Sequence, residues 1–333
     1  MWQMNTGTYG IKKLYKSALG VLCLILSTFP PVGSADDTQL VVVISSSRYE
    51  YEQASRAFLN TVAENAENIV TEKRLFLPGP GGEATFWESI GESNPALIIT
   101  VGTPSTESAL KYVKDTPLVC TMVLGGFNSF VPFPYPADSI PEFSGVTLSI
   151  PFQKQLELLR EALPTVRRVG LLFTNASSED QHSAGENARK LGLRLIEARI
   201  DSDRDVPKAL RSILSDIEVL WIPPDIQIYR RDALNFILEE CYRKNVPVMA
   251  YSKQLAVAGA ALAMDIDYQD IGRQTADLVL GKLSRKQLAL NRIETPRTVL
   301  LYINETVALG LGLHIPRKVS SSSFIVGRED RQK

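Results

Sequence analysis

Two histidines and three cysteines in 333 residues leave little material for metal or thiol chemistry. Cys120 and Cys241 lie far apart, no CxxC pair occurs, and Cys23 sits in an N-terminal apolar run. A disulfide framework is therefore excluded, and Cys120 and Cys241 are expected as buried small hydrophobes. His182 falls early in a predicted helix and His314 in a tail segment, and neither has a cysteine or carboxylate at ligand spacing. No GxSxG elbow, Walker A loop or GxGxxG fingerprint is present. The run Pro78, Gly79, Pro80, Gly81, Gly82 reads as a plain turn, because two prolines remove N–H donors and no lysine follows. Charge is also nearly absent as a net quantity. Against 37 acidic residues stand 36 basic ones, a balance of −1, which provides no field for nucleic acid or an anionic membrane. No metal and no cofactor is expected.

What is present begins with an export signal. Lys12, Lys13 and Lys16 form a positive segment, residues 18–26 an apolar run too short to span a bilayer, and Gly33, Ser34 and Ala35 a small-residue cleavage site. Pro30 and Pro31 stop any longer helix. Gly20, Val21 and Leu22 before Cys23 do not make a lipoprotein box, so no lipid anchor is expected. Residues 1–35 are expected to be removed, placing the mature chain in the periplasm or another extracytoplasmic space. No later segment resembles a membrane span. About 300 residues then remain, enough for two domains of about 150.

Short β-branched runs alternate with segments of helical period from residue 40 onward. A first series has strands at 40–45, 69–76, 96–101 and 117–123, with helices at 49–65, 83–93 and 104–114 between them. A second has strands at 167–173, 194–199, 218–222 and 247–251, with helices at 152–163, 179–191, 204–215 and 229–244. Apolar strands alternating with helices imply parallel sheets covered on both faces. Two such series predict an α/β protein of two doubly wound Rossmann-like lobes meeting near Gly145. Residues 125–143 hold four prolines and four phenylalanines and are expected as a structured loop near the junction.

Open α/β sheets bind ligands outside the carboxyl ends of their strands, which directs attention to the polar loops there. Ser45, Ser46 and Ser47 end the first strand, and Gly102, Thr103, Pro104 and Ser105 end the third. Thr103 is placed to cap its helix with Pro104 as first helical residue, or to bind a ligand; the free N–H groups of such helix starts favour an anion. In the second lobe Thr174, Asn175, Ser177 and Ser178, then Asp225, then Tyr251 and Ser252 occupy the matching loops. Asp225 either caps a helix or pairs with a ligand ammonium. Asp267, followed by Tyr268, Gln269 and Asp270, reads as a cap. Asp265 has no such role and is the more interesting carboxylate.

Several ordered motifs resemble one family. They are Gly145, Val146, Thr147 through Pro151, Lys154, Gln155, Leu156 and Glu157 to Leu163, Pro164, Arg168, Val169 and Gly170; Gly259 to Leu262 with Asp267, Tyr268 and Ile271 to Gln274; and Tyr302, Ile303, Asn304 to Gly310 with Leu313, Ile315 and Pro316. Together with Gly102, Thr103 and Pro104, they resemble the ABC-transporter substrate-binding family that includes the tryptophan- and tyrosine-binding lipoproteins. The resemblance implies the class I periplasmic-binding-protein fold, with a hinge between lobes and a cleft that closes on its ligand. It implies an N-terminal lobe of residues 36–145 and about 262–285, and a C-terminal lobe of 146–261 and about 286–333. Ser46, Thr103, Thr147, Asn175, Asp225 and Tyr251 would then face the cleft. Two features depart from the family: the aromatic segment 125–143, and Asp265 where a small residue, often glycine, is usual.

These readings converge on a non-enzymatic, monomeric solute-binding protein feeding an ABC permease. Its expected ligand is a small polar organic molecule, an amino acid or related zwitterion, with a carboxylate at the Ser46 and Thr103 helix ends. A flat or apolar part would lie against Phe127, Phe130 or Tyr251, and a cationic group near Asp265. The rival readings are a sensory subunit for a membrane receptor and an α/β enzyme acting on a sugar or nucleotide.

Overall fold

The computed structural model describes residues 37–124, 142–173, 178–224, 230–285 and 293–327. The N-terminal export segment, Phe127, Phe130, Asn175 and Asp225 lie outside the described residues. The first lobe opens with β1 (Thr38–Ile44), α1 (Tyr49–Asn65), β2 (Ile69–Leu75), α2 (Glu83–Gly91), β3 (Leu97–Val101), α3 (Thr103–Tyr112), β4 (Leu118–Val123) and β5 (Phe143–Thr147). The second contributes α4 (Phe152–Ala162), β6 (Arg168–Phe173), α5 (Ser178–Lys190), β7 (Arg194–Arg199), α6 (Val206–Ile213), β8 (Val219–Trp221), α7 (Arg231–Arg243), β9 (Val248–Ala250), α8 (Lys253–Ala258) and β10 (Leu262–Ile266). Then follow α9 (Tyr268–Arg285), β11 (Ile293–Glu294), β12 (Val299–Asn304), α10 (Glu305–Gly310), α11 (Arg317–Ser321) and β13 (Phe324–Val326).

The strands form a six-stranded sheet, β11-β5-β4-β3-β1-β2, and a seven-stranded one, β13-β12-β10-β9-β8-β6-β7. The inner order is the same in both, so the second lobe repeats the winding of the first. Pairing is parallel except between β10 and β12, so the second sheet is mixed, not purely parallel.

Alternate residues of the central strands serve opposite cores, as burial on both faces requires. Leu40, Val42 and Ile44 pack with Ala54, Phe58 and Val62 of α1, whereas Val41 and Val43 pack with Phe76, Trp87 and Ile90. In the second lobe Val219 and Trp221 face one way, and Leu220 and Ile222 the other. Each large side chain so buried contributes about 1.5–3 kcal/mol. The spacing of Ala54, Phe58 and Val62, four residues apart, lays one stripe of α1 on the sheet. Cys120 and Cys241 are free and buried, and burial pushes both thiols up to about 12, so neither is a nucleophile at neutral pH.

The chain passes between the sheets three times: from β5 to α4, from β10 to α9 and from β11 to β12. Three boundaries differ from expectation, the first only slightly, since Val146 and Thr147 still belong to β5 of the first sheet. The return expected at about residue 262 falls near Asp267, because apolar β10 is hydrogen-bonded between β9 and β12 in the second sheet, while α9 packs on α1 in the first lobe. Ile293 and Glu294, expected in the C-terminal lobe, pair with Gly145 and Val146 of the first sheet. Phe143, expected in the aromatic loop, is buried in β5.

The third crossing is strapped to α9. Asp270 accepts from the Arg297 guanidinium at 2.8–3.1 Å and from Thr298 Oγ1 at 2.5 Å, while Arg297 Nη1 also pairs with Asp277 at 2.6 Å. Gln274 donates to the Thr295 carbonyl and accepts from the Arg297 N–H.

Candidate functional site

The carboxyl ends of both sheets face the junction between the lobes, and a cavity of about 210 Å³ lies there. Leu124 beyond β4 and Leu148 and Ile150 of the first crossing wall it on one side. Pro224, Tyr251 and Ser252 follow β8 and β9, and Met264, Asp265 and Ile266 end β10. Gln155 of α4 and Tyr268, the first residue of α9, complete the wall. Behind it, Trp221 Nε1 donates to Gln155 Oε1 at 3.0 Å, Gln155 Nε2 donates to the Ile150 carbonyl at 2.7 Å, and the Phe152 ring stands edge-on to Trp221 at 5.2 Å. The back of the cavity is thus fixed by the buried indole of β8.

Asp265 is 7% exposed. Its Oδ1 accepts from the Ile266 N–H at 2.8 Å and the Tyr268 hydroxyl at 3.1 Å, and its Oδ2 from the Lys253 N–H at 2.9 Å. The expectation that Asp265 has no capping role is therefore corrected. It receives an amide that opens α8, beside Ser252, whose Oγ accepts from Leu255 N. Burial, then the Asp265 carboxylate, holds the Tyr268 phenol well above its ordinary value, with Glu50 adding to the effect. Asp267 caps α9 as expected, accepting from the Asp270 N–H at 2.9 Å.

Of the residues singled out from sequence, Tyr251, Ser252 and Asp265 line the cavity together. Thr147 is buried, its Oγ1 accepting from the Ser149 N–H within the first crossing. Ser46 and Thr103 are half-buried at the ends of β1 and β3 and do not line it. With strands about 4.8 Å apart, β3 stands two strand spacings and β1 three from β5. Leu148, Ile150, Gln155, Met264 and Tyr268 were not singled out as site residues. Gln155 and Tyr268 lie inside the family-like motifs, but nothing local distinguishes them from core and helix-start residues.

The helix starts expected to hold a carboxylate are used in part by the chain's own groups. Thr103 is the first helical residue of α3, not its cap, and Gly102 occupies the cap with φ +101°. A side chain there would meet the Tyr51 ring at 2.4 Å. Of the amides opening α3, Pro104 has none, Ser105 N donates to Ser45 Oγ at 3.0 Å, and Thr106 N to the Gly102 carbonyl. At α1, Ser46 Oγ accepts from the Arg48 N–H, and Glu50 and Glu52 already occupy the first turn. Ser45→Ala should cost about 1 kcal/mol of stability, the usual value of a lost cap, read as a lower urea midpoint. An unchanged midpoint would show that the Ser45–Ser105 contact is not a cap.

Two α/β lobes of like winding, linked by three crossings of the chain and sharing a cavity at their strand ends, have the architecture of a two-lobed binding protein. The chain belongs to the family described as ABC transporter substrate binding protein, which its residues 79–326 match. It is 22% identical over 222 residues to the tyrosine-binding protein of Clostridioides difficile (strain R20291), covering 65% of this chain and 63% of that one. The chain thus spans under two-thirds of that relative's length. Among solved structures, a ligand-free, open substrate binding protein with adhesive properties from Clostridium difficile superposes with a TM-score of 0.72 at 19% identity, covering 87% of this chain and 99% of that one. An ABC domain in complex with L-Trp from Streptococcus pneumonia gives 0.59 at 18%, covering 87% and 100%. Among the described residues no helix is long and apolar enough to cross a membrane.

Proposed function

We propose that this protein is the extracytoplasmic solute-binding component of an ABC importer, a monomer that closes its two lobes on a small organic ligand and presents it to a permease. The observation that supports this most directly is the cavity at the first two crossings, where side chains of both lobes share one wall. A ligand there gains contacts from both lobes only when they approach, which is the differential affinity that a closure needs. The relatives named for tyrosine and solved with L-Trp favour an amino acid or related zwitterion. Tyr251 and Asp265 are the cavity residues we assign to it. Asn175 and Asp225 we assign to the second lobe's face of the cleft, and Thr147 to shaping the first crossing.

Native mass spectrometry of the chain purified without refolding should release a small ligand of defined mass. Adding that ligand should lower the radius of gyration in small-angle scattering without changing the circular dichroism. A scattering curve unchanged at saturation would exclude lobe closure. Export is checked separately: peptide mapping of the secreted chain should begin at Asp36, and intact Met1 in the membrane fraction would oppose it.

A further inference from the structure

We infer that the cavity selects its ligand by a positive charge, a single ammonium group held against Asp265, with an apolar body of about one ring beside it and a dispensable carboxylate. This inference rests on reading the cavity as the ligand site.

Most of the wall is aliphatic, with Leu148, Ile150, Met264 and Ile266 facing the rings of Tyr251 and Tyr268. Asp265 interrupts that surface. Its three donors, two backbone N–H groups and one phenol, are all uncharged. They orient the carboxylate, and among the described residues no cation is ion-paired with it. An ionised carboxylate accepts about four hydrogen bonds, so three donors also leave one acceptor position. A buried charge set in an apolar wall is costly until a counter-charge reaches it, and here the ligand supplies that charge.

The surroundings have the same sign. Glu50 is near enough to act on the Tyr268 phenol, and Asp267 acts with Asp265 on Tyr302. Lys253 turns its backbone N–H to Asp265, while its ammonium lies 5.8 Å over the Tyr302 ring. Arg273, the cation beside Asp267, is 3.6 Å from that carboxylate and also bonds Asp270. The phenol rings of Tyr251 and Tyr268 add surfaces that attract a cation. Volume sets the scale: about 150 Å³ holds a benzene ring, so a cavity of about 210 Å³ has room for one ring or branched chain with a short amine arm.

The test is a charge-class series at constant shape, measured by calorimetry on the full folded chain. Phenethylamine, phenylalanine and 3-phenylpropionate form one set; isoamylamine, leucine and 4-methylpentanoate form the other. Amine and amino acid should bind within about tenfold of each other in at least one set, and the acid lacking the amine should bind tenfold to a hundredfold more weakly, as loss of a charge-assisted hydrogen bond implies. Asp265→Asn should weaken the amine by a similar factor and leave the acid unchanged. The wild-type series decides the matter even if that variant folds poorly. An acid that binds as tightly as its amine, or an Asp265→Asn protein with wild-type amine affinity, overturns the inference. If neither set binds and the co-purified ligand is neutral or anionic, the inference falls while the cavity reading stands. If neither set binds and nothing co-purifies, both fall.

Discussion

Gly272→Val should remove about 3 kcal/mol or more of stability and leave little folded protein at modest urea concentrations. The glycine lies in α9 where that helix crosses α1, and a Cβ there would stand 2.1 Å from the Ala54 carbonyl oxygen, 2.9 Å from Ala57 Cβ and 3.0 Å from the Ala54 carbonyl carbon. Two of the three obstacles are backbone, so no rotamer change relieves the contact. The helices must separate, and with them the layer in which Ala54, Phe58 and Val62 meet Ile271, Ala276 and Val279. Overpacking of a core costs about 1–3 kcal/mol where side chains can adjust, and here they cannot. With a slope of about 1–3 kcal/mol per molar urea, the midpoint should fall by roughly 1 M or more. Gly281, in the same helix with nothing within 4 Å of its missing Cβ, provides the contrast. Gly281→Ala should be neutral or stabilising by up to about 1 kcal/mol. Equal midpoints for Gly272→Val and wild type would show that α1 and α9 are not held in this contact.

The elements that were legible in the sequence are those whose cause is local. Helix α1 was expected at 49–65 and is found at Tyr49–Asn65, because Ala54, Phe58 and Val62 mark its buried stripe without help from the rest of the chain. β7 was expected at 194–199 and is found there. β5 was not read as a strand, since Ser144 and Gly145 interrupt its apolar pattern. Gly145 is required there because any Cβ would lie 2.3 Å from Cys120 Sγ on the neighbouring strand, a constraint that only pairing reveals. Two helix starts, those of α3 and α8, were misread for the same reason. The rule that a cap precedes its own helix placed Thr103 at α3, whereas the capping oxygen comes from Ser45. The same rule left Asp265 without a structural role, although its carboxylate receives an amide of α8 twelve residues earlier. At the candidate site, position along the strand ends was legible and so pointed to Tyr251. Which strand ends close on one another was not, because that depends on where the chain crosses between lobes, and the crossing at Asp267 has no breaker residue to mark it.

Acid should loosen the third crossing before it unfolds either lobe. Asp270 is 7% exposed, and its hydrogen bonds with Arg297, aided by Thr298 and opposed by burial, bring its carboxyl from 3.8 down to about 2. A carboxylate depressed in the folded state adds stability that is fully present above its unfolded value, and loses it as pH falls through the folded one. The window is therefore about pH 5 to pH 2, and the contribution at neutral pH is about 2 kcal/mol at 1.36 kcal/mol for each pKa unit, with the half-exposed Arg297 drawing part of it back to solvent. Asp270→Asn should lose about that amount at pH 7, because Arg297 keeps only Asp277, and should show correspondingly less stability change than wild type between pH 5 and pH 2. Glu218 titrates in the same direction, its burial outweighed by the Arg167 and Arg168 N–H groups it accepts from, so the difference between wild type and variant isolates Asp270. The consequence reaches the cleft. Asp270, Gln274 and Asp277 fix the β11–β12 segment to α9, and that segment is one of three covalent links between the lobes. Releasing it should widen the distribution of interlobe angles, seen as a larger radius of gyration for Asp270→Asn at neutral pH and for wild type near pH 3, with circular dichroism unchanged. Parallel pH–stability curves for the two proteins, or a scattering profile indifferent to both changes, would show that the Arg297 pair neither stabilises the crossing nor restrains the lobes.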